Sequence, residues 1–429
     1  MPTASIVPRS EWQRAVRRPI LQRSWRVAMY SQGMVGFGHI RRNASIAQAL
    51  RRSELRPAIA MIAEAWQAGA LPLPEGVDCV TLPSIRRDAD GGLDSRILEV
   101  SHRDVVALRA SVIRSVINAF DPDLFLVDQW PLGAAGELVP ALWQMRRRGR
   151  TRCVLGLRDV LYDRDTTSRL WSTPENLEAI RDWYDAVWIY GDPDIYDAVH
   201  EYELPDAVVA KTSYTGYIDQ RPRLDSLRGS ADARLEGIPD GRFVLCAVGG
   251  GHDGAALVEA FARAELPPGL AGVVVNGPLM GASDRRRARR IAQQRPDLTL
   301  LDFVEDTTPL VARADRVIAM GGYNTVCEVL SFEKHALIVP RVQPEPEQWV
   351  RAERMRAAGL LHVLHPNRLT AHALSEWLAR DLGAPPHARR AVDMGALRRL
   401  PQLAAELLQR RRTATALKAR LAAAAGARP

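Results

Sequence analysis

The stretch from Ala319 to Ala352, AMGGYNTVCEVLSFEKHALIVPRVQPEPEQWVRA, places the tightest constraint on how this chain can fold. It begins within an apolar run, Val317–Met320, which is short enough to be a buried parallel strand. A Gly-Gly pair breaks that strand, and Asn324 or Thr325 is positioned to cap a helix that follows. Ala336–Val339 then has the pattern of another buried strand. The succession of strand, glycine turn, helix and strand predicts a parallel α/β unit.

The glycine turn in this stretch is also a candidate binding site. Gly321 and Gly322 lead into the helix N-terminus, where unpaired backbone N–H groups and the positive end of the helix dipole favour a phosphate. Glu328 lies in the first turns of the same helix, where it could accept hydrogen bonds from hydroxyls, and Gln348 lies at the mouth of the next unit. The alternative is an ordinary tight turn, with Asn324 as a plain cap and Glu328 as a partner of the helix dipole.

Strand and helix patterns alternate along the rest of the chain, which predicts an α/β fold with parallel sheets covered on both faces. The predicted strands of the first part are RVAMYSQ from Arg26, Ala58–Ile62, Cys79–Leu82, Leu124–Asp128, Arg152–Leu157, Ala186–Tyr190 and Ala207–Ala210. Those of the second part are FVLCAV from Phe243, Gly272–Asn276, Leu298–Phe303, Val317–Met320 and Ala336–Val339. A polar stretch around residues 216 to 241 separates the two series.

These patterns predict two Rossmann-like domains in the 429-residue chain. The predicted divisions are an N-terminal extension at residues 1–24, a first domain at 25–220, a linker at 221–241, a second domain at 242–390 and a helical tail at 391–429.

A second glycine-rich loop follows strand FVLCAV and precedes a predicted helix. It consists of Gly249, Gly250, Gly251 and His252, followed by Asp253-Gly254. Backbone N–H groups in such a loop can cradle a diphosphate, and the histidine can add a donor. The loop lacks the Gly-Lys-Ser/Thr of a P-loop.

His39 closes a third glycine loop, formed by Gly33, Gly36 and Gly38 at the carboxyl end of the first strand. Ligands of open α/β sheets bind outside the carboxyl ends of strands, so this loop is placed for chemistry. Its spacing differs from the dinucleotide fingerprint G-x-G-x-x-G. A histidine here is suited to act as a general base. The alternative is a structural histidine.

Charged residues stand at the ends of two further predicted strands of the first domain. Asp128 ends strand LFLVD and could orient His39 and stabilise its charged form, or it could simply cap a loop. Arg158 and Asp159 follow strand RCVLGL, and either hold an anionic part of a substrate or form an internal ion pair.

Composition narrows the class of protein. The formal charge is +8, with arginine supplying nearly all of the positive charge, yet no zinc or RNA-recognition pattern is present, so nucleic acid is not an expected partner. Four widely separated cysteines predict buried thiols in a reducing, cytoplasmic compartment. The sequence contains no run of about 18 apolar residues, so no transmembrane helix is predicted. The arginine-rich residues 1–24 predict either a loosely ordered extension or weak peripheral contact with the inner membrane face.

The second half resembles the nucleotide-sugar domain of GT-B glycosyltransferases, most closely the branch that contains the N-acetylglucosaminyltransferase of peptidoglycan synthesis, whose C-terminal domain is of the family 28 type. That branch carries GG-x-N/S-T-x-x-E and E/D-Q-x-x-x-A segments, which stand here as GGYNTVCE (321–328) and EQWVRA (347–352). The first-half phrases GFGHIRR, LVDQWPLG and GLRDVLYDRD are similar to those of a poorly characterised bacterial group of predicted GT-B glycosyltransferases.

The resemblance implies two Rossmann-like domains that face a central cleft, with a donor site in the second half and an acceptor site in the first. It implies donor-binding roles for Gly249, Gly250, Gly251, His252, Phe303, Val304, Gly321, Gly322, Asn324, Thr325, Glu328, Glu347 and Gln348. The implied acceptor-binding residues are Gly36, Gly38, Arg158 and Asp159, and the catalytic pair is His39 with Asp128.

The function that follows from the resemblance is inverting, metal-independent transfer of a sugar from a nucleoside-diphosphate sugar, expected to be a UDP-sugar, to a hydroxyl acceptor. Apart from this co-substrate no cofactor is expected, and no D-x-D metal motif stands in a donor context. The acceptor is left open between a lipid-linked molecule and a secondary metabolite. Two alternatives remain, a UDP-sugar hydrolase like that of the pseudaminic acid pathway and a nucleotide-sugar-binding protein without turnover.

Overall fold

The structure is a computed structural model that describes residues 24–32, 38–64, 73–87, 92–227, 237–251 and 253–410. The predicted N-terminal extension therefore lies almost wholly outside the described residues, as do residues 411–429 of the predicted tail.

The first half alternates strands and helices, as the sequence pattern predicts. Its elements in chain order are β1 (Arg26–Ser31), α1 (Gly38–Arg52), β2 (Ala58–Glu64), β3 (Val77–Leu82), β4 (Ile85–Arg87), β5 (Leu93–Ser95), α2 (His102–Phe120), β6 (Leu124–Asp128), α3 (Val139–Arg148), β7 (Arg152–Arg158), α4 (Arg164–Leu170), α5 (Pro174–Trp183), β8 (Ala186–Tyr190), α6 (Ala198–Glu201), α7 (Asp206–Val209) and β9 (Thr212–Tyr214). Helix α8 (Arg221–Leu227) follows inside the predicted linker.

The second half repeats the alternation around a second sheet. Its elements are β10 (Phe243–Ala247), α9 (Ala255–Arg263), β11 (Ala271–Val275), α10 (Ala282–Ala292), β12 (Leu298–Leu301), α11 (Thr308–Arg313), β13 (Arg316–Ala319), α12 (Tyr323–Ser331), β14 (His335–Ile338), α13 (Glu347–Ala357), β15 (His362–Val363), α14 (Ala371–Ala379) and α15 (Ala388–Ala391). Residues 396–410 form a further helix.

Both sheets are built from parallel strands, as predicted. Among the described residues the first has the order β3-β2-β1-β6-β7-β8-β9 and the second the order β12-β11-β10-β13-β14-β15. Strands buried on both faces need continuous apolar runs, and β8 (AVWIY) and β10 (FVLCA) are buried at every residue. In each sheet the strand order reverses once, between β1 and β6 and between β10 and β13. Ligands of open α/β sheets bind at such reversal points.

One predicted strand is wrong. Ala207–Ala210 lies in the one-turn helix α7 and its C-cap, and the edge strand is instead β9. Pro205 precedes this turn as its N-cap, and only Val208 of the apolar residues is deeply buried while Val209 is exposed. An apolar run of four residues fits a helical turn as well as a strand, so periodicity alone could not separate the two.

The two halves meet through a buried ion pair. Arg351 on α13 donates from Nη2 to Asp159 Oδ1 over 2.8 Å and from Nε over 2.9 Å, and each side chain is 1% exposed. Tyr217 adds a hydroxyl bond of 3.0 Å to the same carboxylate, and its ring stacks on Tyr323 of α12. The chain then returns to the first half, where Arg399 donates to the carbonyl of Thr215.

We expect Arg351→Met to destabilise the protein by roughly 3–5 kcal/mol, because a buried carboxylate is left without its counter-charge. Urea or thermal unfolding of the intact chain measures this loss. The double change Asp159→Asn with Arg351→Met should recover much of it, since neither charge is then buried alone.

Arg356→Met on the same helix is the matched control. Arg356 pairs with Glu353 at the surface, where an ion pair contributes about 0–1 kcal/mol. Equal losses for Arg351→Met and Arg356→Met would contradict a stabilising role for the pair between the halves.

Candidate functional site: a cavity between the two sheets

A cavity of about 290 Å³ lies between the two halves, where the carboxyl ends of both sheets face each other. Its lining includes many of the residues that the sequence analysis selected. These are Gly38, His39, Arg158, Gly249, Gly250, Gly251, Phe303, Val304, Gly322, Asn324, Thr325, Glu347 and Gln348. Gly36 and His252 lie outside the described residues.

The glycine loop after β10 forms one wall of the cavity. Gly249 and Gly251 have φ values of +57° and +82°, which side chains other than glycine rarely adopt. A Cβ on Gly251 would come within 2.5 Å of the Gly277 backbone. Glycine is therefore required here for the turn and for the close approach of two chain segments, and the loop brings its backbone to the cavity surface.

The turn after β13, the neighbour of β10 in the sheet, also lines the cavity. Helix α12 begins at Tyr323 with Gly322 as its N-cap, and no side chain caps it. The expectation that Asn324 or Thr325 caps this helix is therefore wrong. Asn324 instead donates its amide to the carbonyl of Gly38 in the other half over 2.9 Å. The uncapped end of α12 faces the cavity and suits an anionic group.

His39 and Asp128 are in contact, as the positions of their strands predict. The His39 Nδ1 lies 2.6 Å from Asp128 Oδ2, and β1 and β6 are paired neighbours in the sheet. A third residue, Arg42, donates from Nη2 to Asp128 Oδ1 over 2.5 Å. Asp128 is buried behind His39 and Arg42, and these two side chains line the cavity.

The surroundings of His39 favour its neutral form, chiefly through burial. Burial is the largest effect and lowers the pKa of His39; Asp128 raises it, while Arg42 and Arg158 lower it further. Burial alone would raise the pKa of Asp128, but Arg42 and then His39 outweigh burial and lower that pKa to about 2. An ionised Asp128 accepts the proton on Nδ1, which leaves Nε2 as the basic nitrogen of the ring.

Three arginines surround Glu347 at the start of α13. Its Oε2 lies 2.5 Å from Arg158 and 3.7 Å from Arg351, and its Oε1 lies 3.3 Å from Arg341. Burial alone would raise the pKa of Glu347, but these arginines lower it. Arg158 and Arg341 both line the cavity, so a ligand there meets two guanidinium groups that are already held by carboxylates, Arg158 by Glu347 and Arg341 by Glu347 and Asp253.

Several of the selected residues do not line the cavity. Asp159 is fully buried in its ion pair with Arg351. Of the two alternatives for Arg158 and Asp159, the internal ion pair is therefore correct for Asp159, although the sequence does not suggest Arg351 as its partner. The prediction that Asp159 contacts the acceptor directly is therefore wrong. Gly321 lies behind the surface, where its N–H donates to Gln348 Oε1 over 3.1 Å.

Glu328 also lies beneath the cavity surface. Its Oε1 accepts a bond of 3.0 Å from the Thr308 hydroxyl and lies 3.4 Å from the hydroxyl of Thr307, which lines the cavity. Burial, and secondly Asp306, raise the pKa of Glu328. A ligand hydroxyl would have to compete with these threonines for the carboxylate.

Four arginines at or beside the site do not stand out in the sequence patterns, Arg41, Arg42, Arg341 and Arg351. The sequence does contain a signal for Arg42: it follows His39 by three residues on a predicted helix, and residues with that spacing lie on the same face. No local signal distinguishes Arg351, whose partner is 192 residues away.

In the described part of the chain, no group of three or more His, Cys, Asp or Glu side chains is arranged to hold a metal ion. Within that same part, no helix has both the length and the apolar character needed to cross a membrane.

Residues 248–404 match the family model of the glycosyltransferase family 28 C-terminal domain, so the resemblance of the second half is confirmed. An uncharacterized glycosyltransferase of Methanosarcina acetivorans is 32% identical over 98 residues, which are 23% of this chain and 24% of that protein. The UDP-N-acetylglucosamine–N-acetylmuramyl-(pentapeptide) pyrophosphoryl-undecaprenol N-acetylglucosamine transferase of Hahella chejuensis is 27% identical over 167 residues, 38% of this chain and 46% of that protein. The chain thus spans less than half the length of these curated relatives.

The solved structure of the glycotransferase of kitacinnamycin is similar over nearly the whole chain. It covers 91% of this chain and 99% of its own, with a TM-score of 0.57 and 16% identity. The predicted GT-B fold, with two Rossmann-like domains, is therefore confirmed.

We expect Asp128→Asn to lower the pKa of His39 further, because the imidazolium loses its anionic partner while Arg42 and Arg158 remain. Histidine ring signals followed by NMR across pH measure this, with His39→Gln used to assign the signal. Glu353→Gln, which changes a surface pair on α13, is the control. The same midpoint in Asp128→Asn and the unmodified protein would contradict the assigned contact.

Proposed function

We propose that this chain is an inverting, metal-independent glycosyltransferase that moves a sugar from a nucleoside-diphosphate sugar to a hydroxyl acceptor. One observation carries the proposal. The glycine loop after β10 and the uncapped N-terminus of α12 share one cavity with His39, whose Nδ1 contacts Asp128. A diphosphate site and a general base thus border the same space.

The donor side of the proposal uses the second half. The backbone of Gly249–Gly251 and the first N–H groups of α12 would receive the diphosphate. Phe303 and Val304 would lie beside the nucleobase of the donor. Glu347 and Gln348 would contact the sugar. These roles are supported by the family 28 match, which covers all of these residues.

The leaving diphosphate gains negative charge as the glycosidic bond breaks. In the proposed reaction the helix N-terminus, the glycine-loop N–H groups and the guanidinium of Arg341 stabilise this charge in place of a metal ion. These groups are fixed before the reaction and need little reorganisation during it. Preorganisation of this kind is the main reason why fixed donors stabilise a developing charge.

The acceptor side uses the first half. The acceptor oxygen would attack the anomeric carbon as its proton passes to His39 Nε2, and the bond from that carbon to the diphosphate oxygen breaks with its electron pair. Attack opposite the leaving group inverts the anomeric configuration. Asp128 holds the Nδ1 proton and offsets the charge that the ring acquires.

A UDP-sugar is the proposed donor because the similar transferase of Hahella chejuensis is named for UDP-N-acetylglucosamine. That transferase is also named for a pyrophosphoryl-undecaprenol acceptor, and a lipid-linked acceptor is one candidate here beside a secondary metabolite. A cytoplasmic location with weak contact at the inner membrane face belongs to the same proposal.

A panel of nucleotide sugars tests the proposal, read first by thermal shift and then by release of free sugar without an acceptor. We expect stabilisation by UDP and a UDP-sugar, and slow release of free sugar. Rapid release would favour the hydrolase instead. Stabilisation by no nucleotide in the panel would contradict the proposed donor class.

For the donor site we expect Glu328→Ala to weaken nucleotide binding by about 1–3 kcal/mol, because charge-assisted bonds to ribose hydroxyls are lost. Calorimetric titration with UDP and its deoxyribose analogue measures this, and the analogue should be less sensitive. Thr307→Val is the control for an indirect effect through the neighbouring hydroxyl. Unchanged affinity in a folded Glu328→Ala protein removes this residue from the donor site.

For the chemical step we expect His39→Ala to reduce turnover about 10²–10⁴-fold, the usual contribution of a general base. Donor affinity should stay nearly constant because the diphosphate is bound by the other half. Single-turnover rates together with donor titrations measure the two effects separately. Full turnover would transfer the base role to another residue, and lost donor binding would mean that His39 contacts the diphosphate.

A further inference from the structure

Arg42 occupies the centre of the contacts behind His39. It lies three residues further along α1, is 3% exposed, and its Nη2 is 2.5 Å from Asp128 Oδ1 and 3.0 Å from His39 Nδ1. The Asp128 carboxylate is therefore shared, with one oxygen facing His39 and the other facing Arg42. This sharing fixes the plane of the carboxylate and hence the direction in which the histidine ring can donate.

Aromatic rings from both halves hold the guanidinium of Arg42. Its central carbon lies 5.8 Å from the ring centre of Tyr190 at the end of β8, and 5.5 Å from that of Tyr323 in the second half. The Tyr323 hydroxyl donates to the carbonyl of Tyr190 over 2.8 Å. Cations are attracted to the faces of aromatic rings at such distances, more strongly when water is excluded.

Tyr323 connects Arg42 to the proposed donor site. It is the first residue of α12, between Gly322 and Asn324, both of which line the cavity. The ring that helps hold Arg42 is thus part of the turn that would receive the diphosphate. The base in one half and the phosphate site in the other are linked by a chain of three contacts: His39 with Asp128, Asp128 with Arg42, and Arg42 with Tyr323, which belongs to the turn.

We propose that Arg42 is a positioning residue that orients Asp128 and keeps His39 neutral, and that Tyr323 makes this arrangement depend on the second half. The proposal rests on the proposed glycosyltransferase function for its role in turnover. Its physical content is independent of that function. With Arg42 in place, a protonated His39 ring would put a second cation 3.0 Å from a guanidinium that faces the same carboxylate.

The groups that bear on His39 come from four elements. Asp128 at the end of β6 favours the charged ring, and Arg42 on α1 and Arg158 at the end of β7 disfavour it. Glu347 at the start of α13 also interacts with the ring, although three arginines share its charge. Removal of Arg42 both deletes one cation and frees Asp128 for His39, so the two consequences act in the same direction.

The test follows the His39 ring by NMR across pH in the intact chain, with His39→Gln for assignment. In Arg42→Gln the titration midpoint should move to higher pH, whereas Arg42→Lys, which keeps the charge, should stay near the unmodified protein. Arg41→Gln is the matched control, because this neighbouring arginine reaches the carbonyl of Glu305 rather than Asp128. An unchanged midpoint in folded Arg42→Gln overturns the proposal.

The contribution of the second half has its own variants. Tyr323→Leu removes the ring and should move the His39 midpoint in the same direction as Arg42→Gln. Tyr323→Phe keeps the ring and should leave the midpoint unchanged although the bond to Tyr190 is lost. A shift in Tyr323→Phe equal to that in Tyr323→Leu would overturn the role of the ring.

Turnover supplies the second readout. Arg42→Gln should lose more activity near pH 6 than near pH 8.5, because a base whose titration midpoint has moved to higher pH is neutral less often at pH 6, whereas at pH 8.5 it is neutral in both proteins. An equal loss at both pH values would show a purely structural role and overturn the proposal. A shifted NMR midpoint in a protein that binds no nucleotide sugar upholds the positioning role and contradicts the glycosyltransferase function instead.

Discussion

The ion pair between Asp159 and Arg351 fixes how the two halves meet. Each charge is removed from water, and such a pair is tolerated only with close geometry and further hydrogen bonds. Those bonds are present, because Tyr217 donates to the carboxylate and Arg351 also donates to the Gly321 carbonyl. The ion pair therefore ties the end of β7 to the glycine turn before α12.

The cavity and its charges follow from that arrangement. With the reversal points of the two sheets face to face, the Gly249–Gly251 loop lies across the cavity from His39. The arginines near the site are held against carboxylates, as Arg42 is by Asp128 and Arg158 by Glu347. Their positions are set before a ligand arrives, which reduces the reorganisation that an anionic substrate would require.

The sequence predicts those features that follow from local residue patterns and from the geometry of parallel sheets. The contact of His39 with Asp128 could be predicted because each follows the carboxyl end of a strand of the same sheet. Ala207–Ala210 was mistaken for a strand because four apolar residues do not define a period. Arg351 could not be predicted as the partner of Asp159, since that contact depends on the relative orientation of two domains. Contacts within one sheet are thus accessible to sequence reasoning, whereas contacts across the interface are not.

The most direct test of the account is the stereochemistry of the reaction. Proton NMR can follow the anomeric signals of an α-linked UDP-sugar incubated with the protein, a set of hydroxyl acceptors and EDTA. The account predicts release of UDP and a new sugar linkage of β configuration, because a hydroxyl activated by His39 attacks opposite the diphosphate. A product with the α configuration, or UDP release that requires an added divalent metal, would contradict it.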